Sequence, residues 1–535
     1  MRAIKHLTLL ILATVFLYGC GGVSDIVSTP PENIDSIPLK VSELTEAEKH
    51  NWGHLDLIAD TIPGMSVDKA YAELIKNRKG KKVIVAVIDS GIDIDHEDLD
   101  DVIWTNSDEK PGNGKDDDNN GYIDDVHGWN FLGDAYDEQL ELTRILASGN
   151  TSHPDYARAQ AEFDTEYKKW TDRKTRYDQI HQQVKNAHET LVKHFGKEDY
   201  TAKEVAAIKS EDEALNQAKQ IAQYMFSNDL ESLNEAIKEI EDGLKTINDR
   251  LNYHLNKDFR GRKTGDDPEN INEKFYGNGN VKHSEKGESH GTHVAGIIAA
   301  ERNNGKGANG VANNVEIMSI RAVPNGDEYD KDVALAIRYA VDNGASVING
   351  SFGKSFSPHS DWVRDAIAYA AKNDVVFVHA AGNDSKNVDT EPNFPDDNIN
   401  GKEISDTYIR VGALAPKYGS GLLASFSNYG KQNVDVFAPG AQVYSTTPEN
   451  EYDTKGGTSM AAPAVAGVAA LLRSYFPSLK ASQVKQIIMD SGLEIKTKVV
   501  VGGNTDDVQP YADIVKSGKI VNAYNAMIMA AKLSK

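Results

Sequence analysis

The chain has 535 residues, with 58 Lys+Arg against 81 Asp+Glu and a formal net charge of −23. So acidic a balance excludes a nucleic-acid backbone as the main partner, because phosphate binding needs clustered cations, and the length exceeds one average domain. With 39% apolar residues, 43 Gly and 17 Pro, the composition is that of a loop-rich globular protein with a substantial core.

Arg2 and Lys5 precede an apolar run from Leu7 to Tyr18, too short for the roughly 20 residues a bilayer span requires. Residues 1–20 therefore read as an export signal. Cys20, the single cysteine, cannot close an internal disulfide. Residues 21–50, with Pro30, Pro31 and Pro38, read as a linker. Val83 to Ile88 is an uninterrupted apolar run of strand length, and similar runs at Val315–Ile320, Ala345–Ile348 and Val375–Val378 alternate with helical stretches at Asp332–Val341 and Trp362–Ala371. Strands without polar alternation suit a sheet covered on both faces, and their interleaving with helices predicts an α/β fold built on a doubly wound, mainly parallel sheet. Ligands then belong beyond the carboxyl ends of the strands, at Asp89, Asn349-Gly350-Ser351 and Ala380 to Asn383.

The segment from Asp116 to Asp124 places oxygen donors at alternate positions, Asp116, Asp118, Asn120, Tyr122 and Asp124, with Gly121 sixth for a sharp turn. That is the first half of a calcium loop. Position twelve is His127 rather than a bidentate Glu, so the set is completed from elsewhere, by Asp124, Asp125 or a distant loop. Residues 135–260 differ from the rest. No proline occurs from Asp155 through Asp267, and Leu230, Leu233, Ile237, Ile240, Leu244, Ile247 and Leu251 keep an unbroken three-four spacing. An earlier stripe runs through Phe163, Tyr167, Trp170, Tyr177, Val184 and Leu191, and Thr201/Glu204 and Asn228/Glu231 have the pattern of capping boxes. Three helices are expected, the longest paired antiparallel. Gly243 in the later stripe costs about 1 kcal/mol relative to Ala, so its helix needs a supporting partner. The body of the chain thus comprises residues 51–134 and 261–535, interrupted by this helical hairpin or coiled-coil insertion.

Three short blocks carry chemistry. Asp89 ends a buried strand, where a carboxylate can orient an imidazole. His290 lies in the first turn of an apolar helix, in Ser289-His290-Gly291-Thr292-His293-Val294-Ala295-Gly296, as a candidate base. Ser459, in Gly457-Thr458-Ser459-Met460-Ala461-Ala462-Pro463, opens an Ala/Gly-rich helix whose field favours developing negative charge. The order Asp, His, Ser distinguishes one triad lineage from two others.

These blocks, V-I-D-S-G-I-D, S-H-G-T-H-V-A-G and G-T-S-M-A-A-P, resemble the three signatures of subtilisin-like serine peptidases. The similarity runs from about Lys81 to Leu533 around the insertion, and the Trp52–Leu74 stretch resembles the family's lead-in to the first strand. The resemblance implies a serine endopeptidase acting on protein or peptide substrates, with Ser459 as nucleophile, His290 as general base and then acid, Asp89 as the orienting carboxylate and Asn383 as oxyanion donor. It implies a specificity pocket between Ser351-Phe352-Gly353 and Ala380-Ala381-Gly382, whose small residues leave room for a large apolar side chain. It also implies structural calcium, with a second candidate at the Asn303-Asn304-Gly305 loop. His293 and His379 are expected to be packing residues. The segment ending Leu17-Tyr18-Gly19-Cys20 resembles a bacterial lipobox, which implies lipidation of Cys20 and an exported, envelope-bound lipoprotein, in the outer membrane on its periplasmic or surface side. Asp89 and His290 stand 201 positions apart. The insertion is therefore expected to leave and re-enter at nearby points and to restrict or recruit substrates beside the cleft. The alternative is an inactive protein of the same fold that presents the insertion to a protein partner.

Overall fold

The computed structural model describes residue 40 and residues 42–534, except 229 and 286. The leader, Cys20 and residues 21–39 of the linker lie outside the described residues. The apolar run after Lys82 forms β1, Val83–Asp89, at the heart of a nine-stranded sheet. Parallel to it on one side lies β3, Val315–Arg321, and beyond that β2, Gly128–Asn130. On the other side lie β4, Val347–Gly350, and β5, Val376–Ala380, both parallel. The sheet continues through Tyr408–Leu414, Val436–Pro439 and Lys519–Ile520, all parallel, and ends on the short antiparallel strand Leu493–Glu494.

Alternation along β1 explains its composition. Val85 and Val87 face one apolar layer, Ala86 and Ile88 the other, and all four are wholly buried. The first layer holds the helices His290–Ala299, Thr458–Tyr475, Ala481–Ser491 and Ala523–Leu533. The second holds Asp330–Asp342 and Ser360–Lys372. Because β3 and β4, consecutive strands of the chain, lie on opposite sides of β1, a crevice opens at the carboxyl end of β1, where Asp89 sits.

The insertion is built on a 40-residue helix, Tyr156–Phe195, and a return helix, Leu233–Asp249, extended by Arg250–His254. Their pairing is antiparallel and steps by seven residues: Lys257 lies over Phe163, Arg250 over Trp170, and Gly243 against Tyr177. A Cβ on Gly243 would come within 2.6 Å of the Tyr177 ring, so the glycine that weakens the helix is what admits its partner. Thr201 and Glu204 form the expected capping box. The Asn228/Glu231 pair does not. Ser232 caps the return helix instead, its hydroxyl accepting from Glu235 N, while the Asn228 amide donates to Tyr224 O of the preceding helix. The chain also breaks before Asp212, which caps a further helix, Glu213–Phe226, packed on the long one.

Candidate active site

Asp89 and His290 meet across those 201 positions because β1 and the helix His290–Ala299 pack in one layer. His290 Nδ1 lies 2.7 Å from Asp89 Oδ1, which also accepts from Ser90 N at 2.8 Å. Asp89 is 1% exposed, whereas the His290 side chain is 39% exposed and faces the cleft. Desolvation disfavours the imidazolium, but the charge and hydrogen bond of Asp89 outweigh it, and the His290 pKa is raised. His293 and His379 stand apart from this pair. Burial pushes both down to about 3, and their Nε2 atoms bond to the carbonyls of Asp453 and Phe352. Both are neutral packing residues.

Ser459 lies in the first turn of Thr458–Tyr475. Four residues on, Pro463 has no N–H to offer the Ser459 carbonyl, which accepts instead from Ser351 Oγ at 2.9 Å. Ser459 Oγ in turn donates to Ser351 O at 3.1 Å. The serine helix is thereby locked to the end of β4. Asn383 Oδ1 accepts from Thr458 N at 2.8 Å and from Thr458 Oγ1 at 3.1 Å, so its amide nitrogen is left to face outward. That nitrogen and Ser459 N each lie 3.6 Å from where a Cβ on Gly457 would stand. Two potential donors therefore border one small space beside Ser459.

Asp89, His290, Asn383 and Ser459 line one cleft of about 810 Å³ together with Ser351, Phe352, Gly353, Ala380 and Gly382. Ala381 is wholly buried behind that wall. Asn393, unforeseen from sequence, also lines the cleft, and its Oδ1 is buried without a hydrogen-bond partner. The pocket thus carries a polar group as well as the expected space.

Two buried cations brace the site, and neither carries a motif. Arg321, opposite Asp89 in the β1–β3 register, pairs with Glu288 at 2.9 Å and donates to Ser90 O at 2.8 Å, tying the chain before His290 to the strand end that carries Asp89. Lys354 joins Glu141 at 2.7 Å and Asp330 at 2.9 Å, linking the pocket wall to the base of the insertion. The long helix is pinned to the same wall by Arg158, which covers the Phe356 ring and donates to Ser355 O at 3.1 Å. Consequently Glu162, Glu166, Lys169, Trp170 and Arg250 of the insertion line the catalytic cleft itself.

The acidic segment gathers Glu109, Asp118 and Asp125, with ligand atoms all within 4.8 Å of one another. Glu109 Oε2 is buried without a partner. Burial pushes Asp125 up to about 6 against the opposing hydrogen bonds of Tyr339, Asn120 and Asn106. A hard-oxygen set of this kind with an orphaned carboxylate oxygen fits a calcium ion. Of the five expected ligands, Asp118 supplies a carboxylate to this cluster, and the Asn120 amide donates to Asp118 Oδ2 at 3.1 Å and to Asp125 Oδ2 at 3.0 Å. Asp116 accepts from the N–H groups of Asn120 and Gly121, and Asn120 Oδ1 from that of Tyr122. Asp124 accepts from Asn113 and Gly114, while the Tyr122 ring packs on Trp129 and Tyr339. Gly121 is required as expected: its φ is +98°, and a Cβ would overlap Phe275. At the second candidate loop Asn304 Nδ2 and Ala308 N both donate to Asp98.

A parallel sheet with an Asp, His and Ser constellation at its carboxyl edge defines a hydrolase-like class of protein. Residues 80–508 match the model of the subtilase family, and the chain belongs to that family. It is 40% identical over 240 residues to a thermophilic serine proteinase of Bacillus sp. (strain AK1), covering 45% of this chain and 52% of that one. It is 36% identical to subtilisin DY of Bacillus licheniformis, covering 42% of this chain and 78% of that one. It is 39% identical to thermitase of Thermoactinomyces vulgaris, covering 39% and 70%. The chain thus spans about half the length of the first of these relatives. Among solved structures, a protease from Pseudoalteromonas arctica PAMC 21717 aligns with 45% of this chain and 70% of its own at 32% identity and a TM-score of 0.37.

Proposed function

We propose that this protein is a serine endopeptidase that cleaves protein or peptide substrates through an acyl-enzyme on Ser459. The observation that carries the reading is the buried Asp89 bonded to His290 in the cleft that also holds Ser459. For attack, Ser459 Oγ leaves the Ser351 carbonyl and gives its proton to His290 Nε2 as it bonds to the scissile carbonyl carbon. Asn383 Nδ2 and Ser459 N donate to the resulting oxyanion. Collapse breaks the C–N bond, and His290 returns the proton to the leaving amine. Water, deprotonated by His290, then releases the acid and restores Ser459. The purified protein is expected to be labelled by a fluorophosphonate probe and to hydrolyse peptides. A folded protein that does neither overturns the reading.

Asn383→Ala is expected to lower kcat about 10²- to 10³-fold with little change in KM, since the lost donor acts on charge that exists only in the transition state. Steady-state kinetics on one peptide substrate measure it.

Calcium held by Glu109, Asp118 and Asp125 is proposed as a structural ion, neutralising part of the 14 acidic residues that face only 2 basic ones between Asp89 and Asp125. An ion at a hundredfold excess over its Kd adds about 2.7 kcal/mol to stability, so chelation is expected to lower the Tm of wild type. Glu109→Gln is expected to start lower and respond less. An identical wild-type melt with and without chelator, followed by calorimetry, overturns the site. Lipidation of Cys20 and residence in the cell envelope complete the proposal, supported by the leader sequence alone.

A further inference from the structure

Resting on the peptidase reading, we propose that the insertion supplies a substrate subsite in which Arg250, set over Trp170, binds an acidic side chain on the acyl side of the scissile bond. The lining of the cleft includes Ser351–Gly353, Ser355, Phe356 and residues of the long helix. With the residue before the scissile bond seated at Ser351–Gly353, we place the preceding substrate residues along that wall. Trp170 packs in the apolar cluster that includes Leu142 and Phe356, and its Nε1 donates to Glu166 at 2.9 Å, which holds the ring in place. The Arg250 guanidinium lies 5.7 Å from that ring. The seven-residue register of the two helices makes this platform part of the fold rather than a surface accident.

Charge pairing selects the occupant. The insertion's carboxylates on the cleft are already matched, Glu166 to Lys169 at 2.9 Å and Glu162 to Arg158 at 3.5 Å. Glu288 nearby is matched to Arg321. Among the described residues Arg250 has no carboxylate within ion-pair distance. A half-buried guanidinium against an indole face, lacking an anion, favours a carboxylate that can bond it bidentately. Because the chain as a whole is acidic, the preference belongs to one substrate position and not to acidic peptides generally.

Internally quenched peptides with constant residues around the scissile bond test this, with Glu or Lys moved through the third to seventh positions before it. The readout is the Glu-to-Lys ratio of kcat/KM at each position, taken on one enzyme preparation so that the folded fraction cancels. Wild type is expected to favour Glu about tenfold at one position, less so in high salt. Arg250→Glu is expected to reverse that ratio and Arg250→Gln to bring it near one. A wild-type ratio within about twofold of one throughout, or a ratio that neither variant alters, overturns the subsite. A short wild-type substrate lacking these positions separates the two readings: if it is not cleaved, the peptidase reading fails instead.

Discussion

Ser459→Ala is expected to abolish fluorophosphonate labelling and to lower kcat about 10⁶-fold, the scale on which a triad loses its nucleophile. The fold predicts that stability survives. Ser459 Oγ contributes one hydrogen bond, to Ser351 O, while the bond that locks the helix to β4 uses the Ser459 backbone carbonyl and remains. The melting temperature should therefore shift by no more than a few degrees. Residual hydrolysis above the uncatalysed rate is expected from the Asn383 and Ser459 N–H donors, which alanine leaves in place. Undiminished activity in the variant would remove Ser459 from the mechanism.

Asp89→Asn is expected to lower kcat about 10⁴-fold near neutral pH and to move the pH profile. His290 must be neutral to take a proton from Ser459. Its pKa is raised because Asp89 outweighs the cost of desolvation. Wild-type activity should therefore fall, as pH decreases, through a value above the ordinary imidazole pKa of about 6.5. Asparagine removes the charge, so the acid limb should move to lower pH. An amide facing Nδ1 can also stabilise the wrong tautomer, placing the ring proton on Nε2 and leaving no acceptor for the serine. The pH dependence of kcat/KM for both proteins is the measurement. An acid limb that stays put in the variant would show that His290 is not the group being titrated.

Legibility differed from residue to residue for physical reasons. The β1 run was readable because its effect is local: a strand buried on both faces must be apolar throughout. Gly243 was readable only as a cost, since the Tyr177 ring that its missing Cβ admits comes from a helix some 66 positions earlier. Arg321, Lys354 and Asn393 left no signal. A single cation in an apolar strand looks the same whether it is clamped by Glu288 or exposed, and what decides is which chain segments fold around it. The acidic loop shows the same division. Alternating oxygens and Gly121 identified the turn, and Asp118 and Asp125 fall within that reading, but Glu109, which completes the carboxylate cluster from a position before the loop, left no signal.

The sequence by itself determined the class of fold, the three reactive blocks and the presence of a long helical interruption, because each is written in residue type and spacing over short distances. Only the tertiary structure decided that Asp89 and His290 touch, that Asn383 turns its amide nitrogen outward, and that Trp170 and Arg250 stand on the wall of the cleft. These depend on contacts between segments up to hundreds of residues apart, set by how helices pack on the sheet and on each other. No local pattern encodes the partner a side chain meets there.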